Sequence, residues 1–463
     1  MAHIHKIGIK NFRIFKEYSE CDIAPITILT GPNNSGKSTL IRALKLLEES
    51  ANHSGFYNLI PKNTETEYYT NDILIPANAN TDAKKFVFLL NIENTGNNHI
   101  LLPDFFQVKL EFAMNTDKSA DLILCSIQVV DLQNGKELIK YFSTFHEFGL
   151  KESIDRFGIS DEFEKRESDV IDSEIKIIKS VAEIFNQKII YLPISRISQR
   201  REFTRRDTDF LSKKLFAIED GDLKIFNSSQ KETLNGGFSY NPEFIKTKAK
   251  REFVFTNDMI NSLFSLGQHV LFLPNNHLGN YELFLHTYDD KLINIADLGY
   301  GVSNLITLLL SIDIAAADYQ GTQFSFTRVK GEKESRKVLS KEHKFSEKLI
   351  LIEEPELNLH PNFQAKLADL FSTAYKKMGI HFIIETHSEY FIRKLQYLTA
   401  KKEISPADTS VYYFDNPAKV PVGEKQIRKI DILENGRLSS NFGTGFLDEA
   451  AILLELTIKA SLN

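Results

Sequence analysis

The chain has 463 residues, 42% hydrophobic and 25% charged, and a formal net charge of −6. That length exceeds one ordinary domain, the composition is that of a folded globular protein, and the charge excludes a molecule-wide attraction for nucleic acid. Two cysteines, Cys21 and Cys125, offer neither a disulfide framework nor zinc spacing; no apolar run nears the roughly 20 residues of a membrane span, and the opening MAHIHKIGIKNF lacks a secretory plan, so a cytoplasmic chain without membrane association is expected.

The first informative element is the apolar run ITILT at 26–30, which predicts a buried strand. GPNNSGKST follows at 31–39, and then a helical stretch with Leu40, Ile41, Leu44 and Leu47 on one face. Strand, glycine-rich turn and helix form the context of a phosphate-binding loop. Gly31 and Gly36 let the backbone curl so that successive N–H groups, those of Asn33, Asn34 and Ser35 among them, face phosphates. The helix N-terminus adds partial positive charge. Lys37 reaches the β- and γ-phosphates, the Ser38 hydroxyl suits Mg²⁺, and Thr39 adds a phosphate contact.

Segments 86–93, 105–113 and 121–131 have β-rich composition, with a turn at Asn134-Gly135, and predict an antiparallel sheet. Residues 150–187 are charged and helical in pattern, 188–194 reads as a strand, and about 200–285 as a mostly helical insert. RISQRREFTRR at 196–206 carries five arginines, which either grip phosphates or line a solvated face. Gly299-x-Gly301 with Ser303, ahead of an apolar helix over 304–317, is a possible anion site. The mixed-charge stretch 328–348 reads better as a mobile loop than as a nucleic-acid grip.

KLILI at 348–352 predicts a second buried strand, ending in Glu353-Glu354-Pro355. A P-loop site needs a carboxylate at such a strand end for Mg²⁺, a role that fits Glu353, while Glu354 is placed to polarise an attacking water. Pro361 opens a helix with Leu367, Leu370, Phe371 and Ala374 as its apolar stripe, and Gly379 ends it. HFIIE at 381–385 is another buried strand, leading to Thr386-His387-Ser388. This strand–helix–strand unit delivers Glu354 and His387 to one edge of a parallel sheet, where ligands bind. The tail at 409–456 pairs strand-like runs with a turn at Glu434-Asn435-Gly436 and ends in an amphipathic helix.

These motifs resemble an ATPase of the ABC superclass, in the branch of RecF, SMC and OLD-type proteins. IHKIGIKNFRIFKEYSECDIAPITILTGPNNSGKSTLIRAL is similar to that branch's opening, LILIEEPELNLHP to its Walker B and D-loop (358–360), and IIETHS to its histidine switch. The resemblance implies an α/β ABC-type head, with a mixed, largely parallel sheet carrying the P-loop, a flanking antiparallel sheet, a helical insert and a small C-terminal α+β piece. The boundaries implied are 1–149 for the first ATPase lobe, 150–285 for the insert, 286–404 for the second lobe and 405–463 for the C-terminal piece. ATP and Mg²⁺ are the implied cofactors, with Ser38 and Glu353 on the metal and Glu354 and His387 in hydrolysis. Residues 297–312 are the implied signature segment, with Gly299, Gly301 and Ser303 facing the γ-phosphate of a nucleotide held by another copy; they depart from the usual LSGGQ. Gln199 is the candidate for the Q-loop, and Arg196 for an action on the nucleotide or the neighbouring copy.

No carboxylate cluster of the TOPRIM nuclease kind follows residue 390. The plan is similar to the ATPase subunits of bacterial antiphage systems, PARIS first and Septu second. The implied partners are a second copy of the chain, a separate effector nuclease of TOPRIM or HNH type, and a phage-derived trigger. The alternative is a RecF- or SMC-like ATPase acting on DNA in repair or processing.

Overall fold

The computed structural model describes residues 2–54, 85–94, 102–114, 122–142, 176–185, 189–192, 200–204, 206–207, 210–219, 253–274, 280–317, 348–421, 424–443, 446 and 449–461. Gln199, Arg196 and the stretch 328–347 lie outside them. In chain order the N-terminal elements are β1 (Ala2–Lys10), β2 (Ser19–Asp22), β3 (Ile26–Thr30), α1 (Lys37–Ser54), β4 (Lys85–Asn94), β5 (Phe105–Met114), β6 (Leu122–Asp131) and β7 (Glu137–Phe142). A helix α2 (176–185), β8 (Ile189–Leu192) and α3 (Phe210–Glu219) follow. Next come α4 (Val254–Asp258), which runs on as a π-helical turn over Met259–Phe264, then β9 (His269–Pro274), β10 (Tyr281–His286), β11 (Leu292–Asn294) and α5 (Tyr300–Ala317). The C-terminal elements are β12 (Leu349–Glu353), α6 (Pro361–Met378), β13 (His381–Glu385), α7 (Glu389–Ala400), β14 (Thr409–Phe414), β15 (Ile427–Ile430) and α8 (Glu449–Ser461).

The chain forms two units, one of residues 1–191, 347–354 and 381–463, the other of 192–346 and 355–380. The first holds two sheets. One is antiparallel in the order β2-β1-β4-β5-β6-β7. Along β4, Phe86, Phe88, Leu90 and Ile92 are buried and alternate with half-buried Val87, Leu89, Asn91 and Glu93, which is the period of a sheet with one covered face. The other sheet has the order β15-β14-β3-β13-β12-β8. Its β14, β3, β13 and β12 run parallel, with β15 antiparallel on the end. Parallel strands lie buried on both faces, and every residue of β3, β13 and β14 is buried. Both sheets and α1 share one core, to which Leu40, Ile41, Leu44 and Leu47 belong together with residues such as Phe88, Leu351 and Ile383.

The second unit centres on α5, whose Leu305, Ile306, Leu308, Leu309, Leu310 and Ile312 are all buried. A helix apolar nearly all round needs neighbours on every side. Asp313 on α5 accepts the Thr256 N–H at 2.9 Å, and its carboxyl is pushed up to about 6 by burial, against the pull of that bond. The expected insert over 150–285 contains α2, α3 and α4, and it also contains β9 and β10, which join β11 in an antiparallel sheet. The strand runs HVLFLP and YELFLH are as compatible with a helix as with a strand on composition, and pairing with one another decides the matter. In the terminal helix α8 the exposed Ile452, Leu453, Leu454, Leu456 and Ile458 are spread around its circumference instead of along one face.

Candidate nucleotide site

β3 ends at Thr30 and α1 begins at Lys37, so the intervening turn opens at a helix N-terminus with no acidic residue in its first turn. Gly31 has φ +136°, and a Cβ there would collide with the backbone of Phe414 on β14. Gly36 has φ +103°, and its Cβ would meet Ile14 at 2.5 Å and Phe15 at 2.8 Å. Both glycines are therefore demanded by backbone conformation and by space. Asn33 and Asn34 are exposed, Asn34 in the left-handed region at φ 60°. Ser35 and Thr39 are buried, Ser38 partly so; the Thr39 N–H donates to the Gly36 carbonyl at 3.0 Å, and Gln426 donates to the Ser35 carbonyl at 2.7 Å.

Lys37 is buried, and its Nζ donates to the carbonyls of Gly31 at 3.0 Å and Pro32 at 2.9 Å. Burial lowers its pKa, and Glu385, 3.8 Å away, and Glu354 oppose that. The ammonium thus sits over its own loop on the side of the carboxylates.

β12 and β13 run parallel with Glu353 opposite Glu385. This register sets two carboxylates side by side at one sheet edge, and the next residues of both strands continue the site. Burial raises the Glu353 carboxyl, opposed by Arg42, by a hydrogen bond from Tyr191 and by Lys45. Burial likewise pushes Glu385 up to about 6, opposed by the Ser38 hydroxyl and Lys37. Glu353 Oε1 and Glu385 Oε2 are buried without a hydrogen-bond partner. Two orphaned carboxylate oxygens beside a serine hydroxyl are the hard-oxygen donor set that Mg²⁺ takes, so these residues fit that cation.

Glu354 lies one residue past the strand at φ 47°, and its N–H donates to the Glu385 carbonyl at 2.8 Å. A left-handed glutamate costs about 1–2 kcal/mol and marks a position whose surroundings impose it. His387 Nε2 lies 3.7 Å from Glu354 Oε1. Burial, then Lys37, lower the His387 pKa against the pull of Glu354, which leaves a neutral imidazole at neutral pH. Thr386 anchors the turn by donating its N–H to the Leu29 carbonyl at 3.0 Å, and Ser388 caps α7 by accepting the Phe391 N–H at 3.2 Å.

Lys37, Ser38, Glu353, Glu354 and His387 thus come together in the first unit. Glu385 joins them and was not singled out from the sequence, where it reads as the last residue of an apolar strand. Its signal is positional, since it immediately precedes Thr386-His387 and aligns with Glu353 once the two strands are paired in parallel.

The segment Gly299–Ser303 belongs to the second unit. Its helix starts at Tyr300 and not after Ser303. Gly299 is exposed, and a Cβ there would meet nothing within 4 Å. Gly301 is buried, and a Cβ there would collide with the Asn358 carbonyl. Ser303 is buried and donates its hydroxyl to the Ile295 carbonyl at 2.6 Å, fixing the turn that precedes the helix. Of the described arginines at 196–206, Arg200 pairs with Asp207 at 3.2 Å and Arg201 with Asp297.

The architecture has solved counterparts. The head of Smc bound to the C-winged helix domain of ScpA is 13% identical, with 93% of this chain and 98% of that one covered and a TM-score of 0.50. A Smc head with an extended coiled coil bound to the C-terminal domain of ScpA, from Pyrococcus furiosus, is 15% identical over 99% of this chain and 100% of that one, with a TM-score of 0.48. The SMC head domain from Thermotoga maritima is 14% identical over 93% and 99%, with a TM-score of 0.38. No curated protein matches the sequence. Among the described residues no helix is long and apolar enough to cross a membrane. Residues 404–456 match a family described as a protein of unknown function, DUF3696. Residues 3–392, which carry every motif of the nucleotide site, match the AAA ATPase domain, and the chain belongs to that family, with a fold of the SMC-head type.

Proposed function

We propose that the chain binds and hydrolyses Mg·ATP slowly, and that its nucleotide state holds and releases a separate effector, a nuclease, in antiviral defence. The observation that carries the ATPase part is the convergence of Lys37, Ser38, Glu353, Glu354, Glu385 and His387 on one sheet edge at a helix N-terminus. The loop amides of 31–39 and Lys37 cradle the phosphates, and Ser38 and Glu353, with Glu385 beside them, hold the cation. A Mg²⁺ held there by Ser38 and Glu353 would supply neutralisation of the phosphate charge. Glu354 orients and polarises the attacking water, while the neutral His387 hydrogen-bonds the γ-phosphate end. The protein's work is positioning and electrostatics. The Gly299–Ser303 segment of a second copy completes the site, led by its exposed Gly299, with Gly301 and Ser303 buried behind it and holding the turn, so the active form is an oligomer.

The effector part rests on the sequence resemblance to antiphage ATPase subunits. The ion pairs of Arg200 and Arg201 do not favour the DNA-acting alternative, because guanidiniums already matched to carboxylates are poorer phosphate grips. The test compares Lys37→Ala and Glu354→Gln with the parent for nucleotide affinity and phosphate release. Lys37→Ala is expected to lose tight ATP binding, and Glu354→Gln to keep binding while losing about a hundredfold or more in turnover. Undiminished turnover in Glu354→Gln sinks the catalytic assignment. In a second arm the chain alone, with Mg·ATP, is offered DNA and RNA. Cleavage that survives Glu353 and Glu354 substitution overturns the regulator reading.

A further inference from the structure

On the opposite side of the β4 alternation from the core, three side chains meet that the nucleotide site does not use. His3 and Glu93 are directly paired across β1 and β4. The register of that pair slips between Ile4 and Lys6, so His5 is the extra residue of a β-bulge. A bulge re-aims the side chain it carries. Here it places the His5 ring 3.8 Å from the His3 ring, centroid to centroid. His3 Nε2 is 3.2 Å from His5 Nδ1 and 3.7 Å from Glu93 Oε2, and His5 Nε2 contacts Glu93 Oε2 directly. One nitrogen of each imidazole and one carboxylate oxygen lie within 4.8 Å of one another.

We infer that His3, His5 and Glu93 form a binding site for a divalent transition-metal cation of the Zn²⁺ class. Ligand atoms about 2.0–2.1 Å from a tetrahedral Zn²⁺ stand about 3.3 Å apart; with His3 Nε2, His5 Nδ1 and Glu93 Oε2 as the ligands, the separations of 3.2 and 3.7 Å from His3 fall on either side of that value, and the direct His5 Nε2–Glu93 contact gives way as the carboxylate turns to the ion. Two imidazole nitrogens and one carboxylate suit Zn²⁺, Co²⁺ or Ni²⁺, whereas Mg²⁺ and Ca²⁺ prefer all-oxygen sets. Three protein ligands leave a fourth position for water, and the His5 side chain is 41% exposed, which gives the ion a way in. The surroundings hold the rings in place. Phe105 stacks on His5 at 6.3 Å, and His381 meets the His3 ring edge-on at 5.4 Å. The bound cation clips the first residues of β1 to β4, and its role is structural.

The test uses the untagged full chain, stripped with a chelator and kept in millimolar Mg²⁺ to saturate oxygen-donor sites. Titration with Co²⁺, followed by visible absorption, and with Zn²⁺, followed by calorimetry, is expected to give one equivalent at micromolar affinity or tighter. A rise in melting temperature with Zn²⁺ is expected as well. Each of His3→Gln, His5→Gln and Glu93→Gln should weaken binding at least about tenfold, and the triple variant should abolish both the uptake and the melting shift. Should a variant fail to fold, X-ray absorption on the loaded parent still decides, with two imidazoles and oxygen in the ligand shell expected. Lack of uptake at micromolar Zn²⁺, uptake unchanged in the triple variant, or a shell without imidazole overturns the proposal and leaves a hydrogen-bonded ion pair only.

Discussion

Glu385 shows how a nucleotide site is built at a cost to the fold. Its side chain is 7% exposed, and burial pushes its pKa from 4.5 up to about 6. A carboxyl with a raised pKa binds its proton more tightly in the folded chain than in the unfolded one. Its contribution therefore favours the fold below about pH 4.5 and is lost as the pH rises through about 6. A shift of that size corresponds to about 2 kcal/mol. Glu385→Gln keeps the shape and removes the charge. In the absence of Mg·ATP it is expected to be more stable than the parent at pH 7 by about 1–2 kcal/mol, with a flatter slope between pH 4.5 and 6. Mg·ATP binding should weaken in the same variant. Urea unfolding across that pH range, with and without Mg·ATP, measures both; equal stability at every pH would show that the buried carboxylate imposes no such penalty.

The loop after β3 shows the same coupling between distant parts of the sequence. β14 pairs with β3 up to Tyr413 opposite Thr30, which brings the Phe414 backbone against Gly31. Gly31→Ala therefore meets both a forbidden φ and an immovable backbone, and should cost more than about 3 kcal/mol. Gly135, in the β6–β7 turn, has φ +70° but open space, so Gly135→Ala carries only the conformational penalty of about 1 kcal/mol. Thermal or denaturant unfolding of the two variants separates them, and equal losses would mean that the β14 contact is soft. The strand, loop and helix at 26–54 were legible because each carries its own local signal, an apolar run, a pair of glycines and a helical periodicity. So were β4, β5, β6, α6 and β13. What joins them was not legible. No local pattern says that β14 lies beside β3, that Glu385 aligns with Glu353, or that β9 and β10 pair within a region expected to be mostly helical. Those facts follow from nonlocal hydrogen bonding, which a single sequence does not display. The hydroxyl of Ser303 belongs to the same class, since its partner Ile295 lies eight residues upstream across a 3₁₀ turn.

At the scale of the whole molecule the open question is whether two copies share a site, and the structure singles out the residue with which to ask it. Ser303 is a poor probe, because it is buried and its substitution would remove the hydroxyl's bond to the Ile295 carbonyl whatever its role in assembly. Gly301 is no better, since any side chain there collides with Asn358. Gly299 differs from both. It is exposed, it has room for a side chain, and it immediately precedes α5. Aspartate is a favoured N-cap, so Gly299→Asp should leave the isolated head as stable as the parent or a few tenths of a kcal/mol better. The same carboxylate would repel the γ-phosphate of a nucleotide held by another copy. The expected result is an unchanged melting temperature and unchanged ATP affinity of the monomer. In a Glu354→Gln background, ATP-driven association followed by sedimentation should fall at least about tenfold, the equivalent of about 1.4 kcal/mol. Gly299→Asn, equal in size and uncharged, should associate nearly as well as the parent, which ties the loss to charge and not to bulk. Association that survives Gly299→Asp undiminished would remove this segment from the shared site, while the roles proposed for Lys37, Ser38, Glu353 and Glu354 in the first unit would stand unaffected.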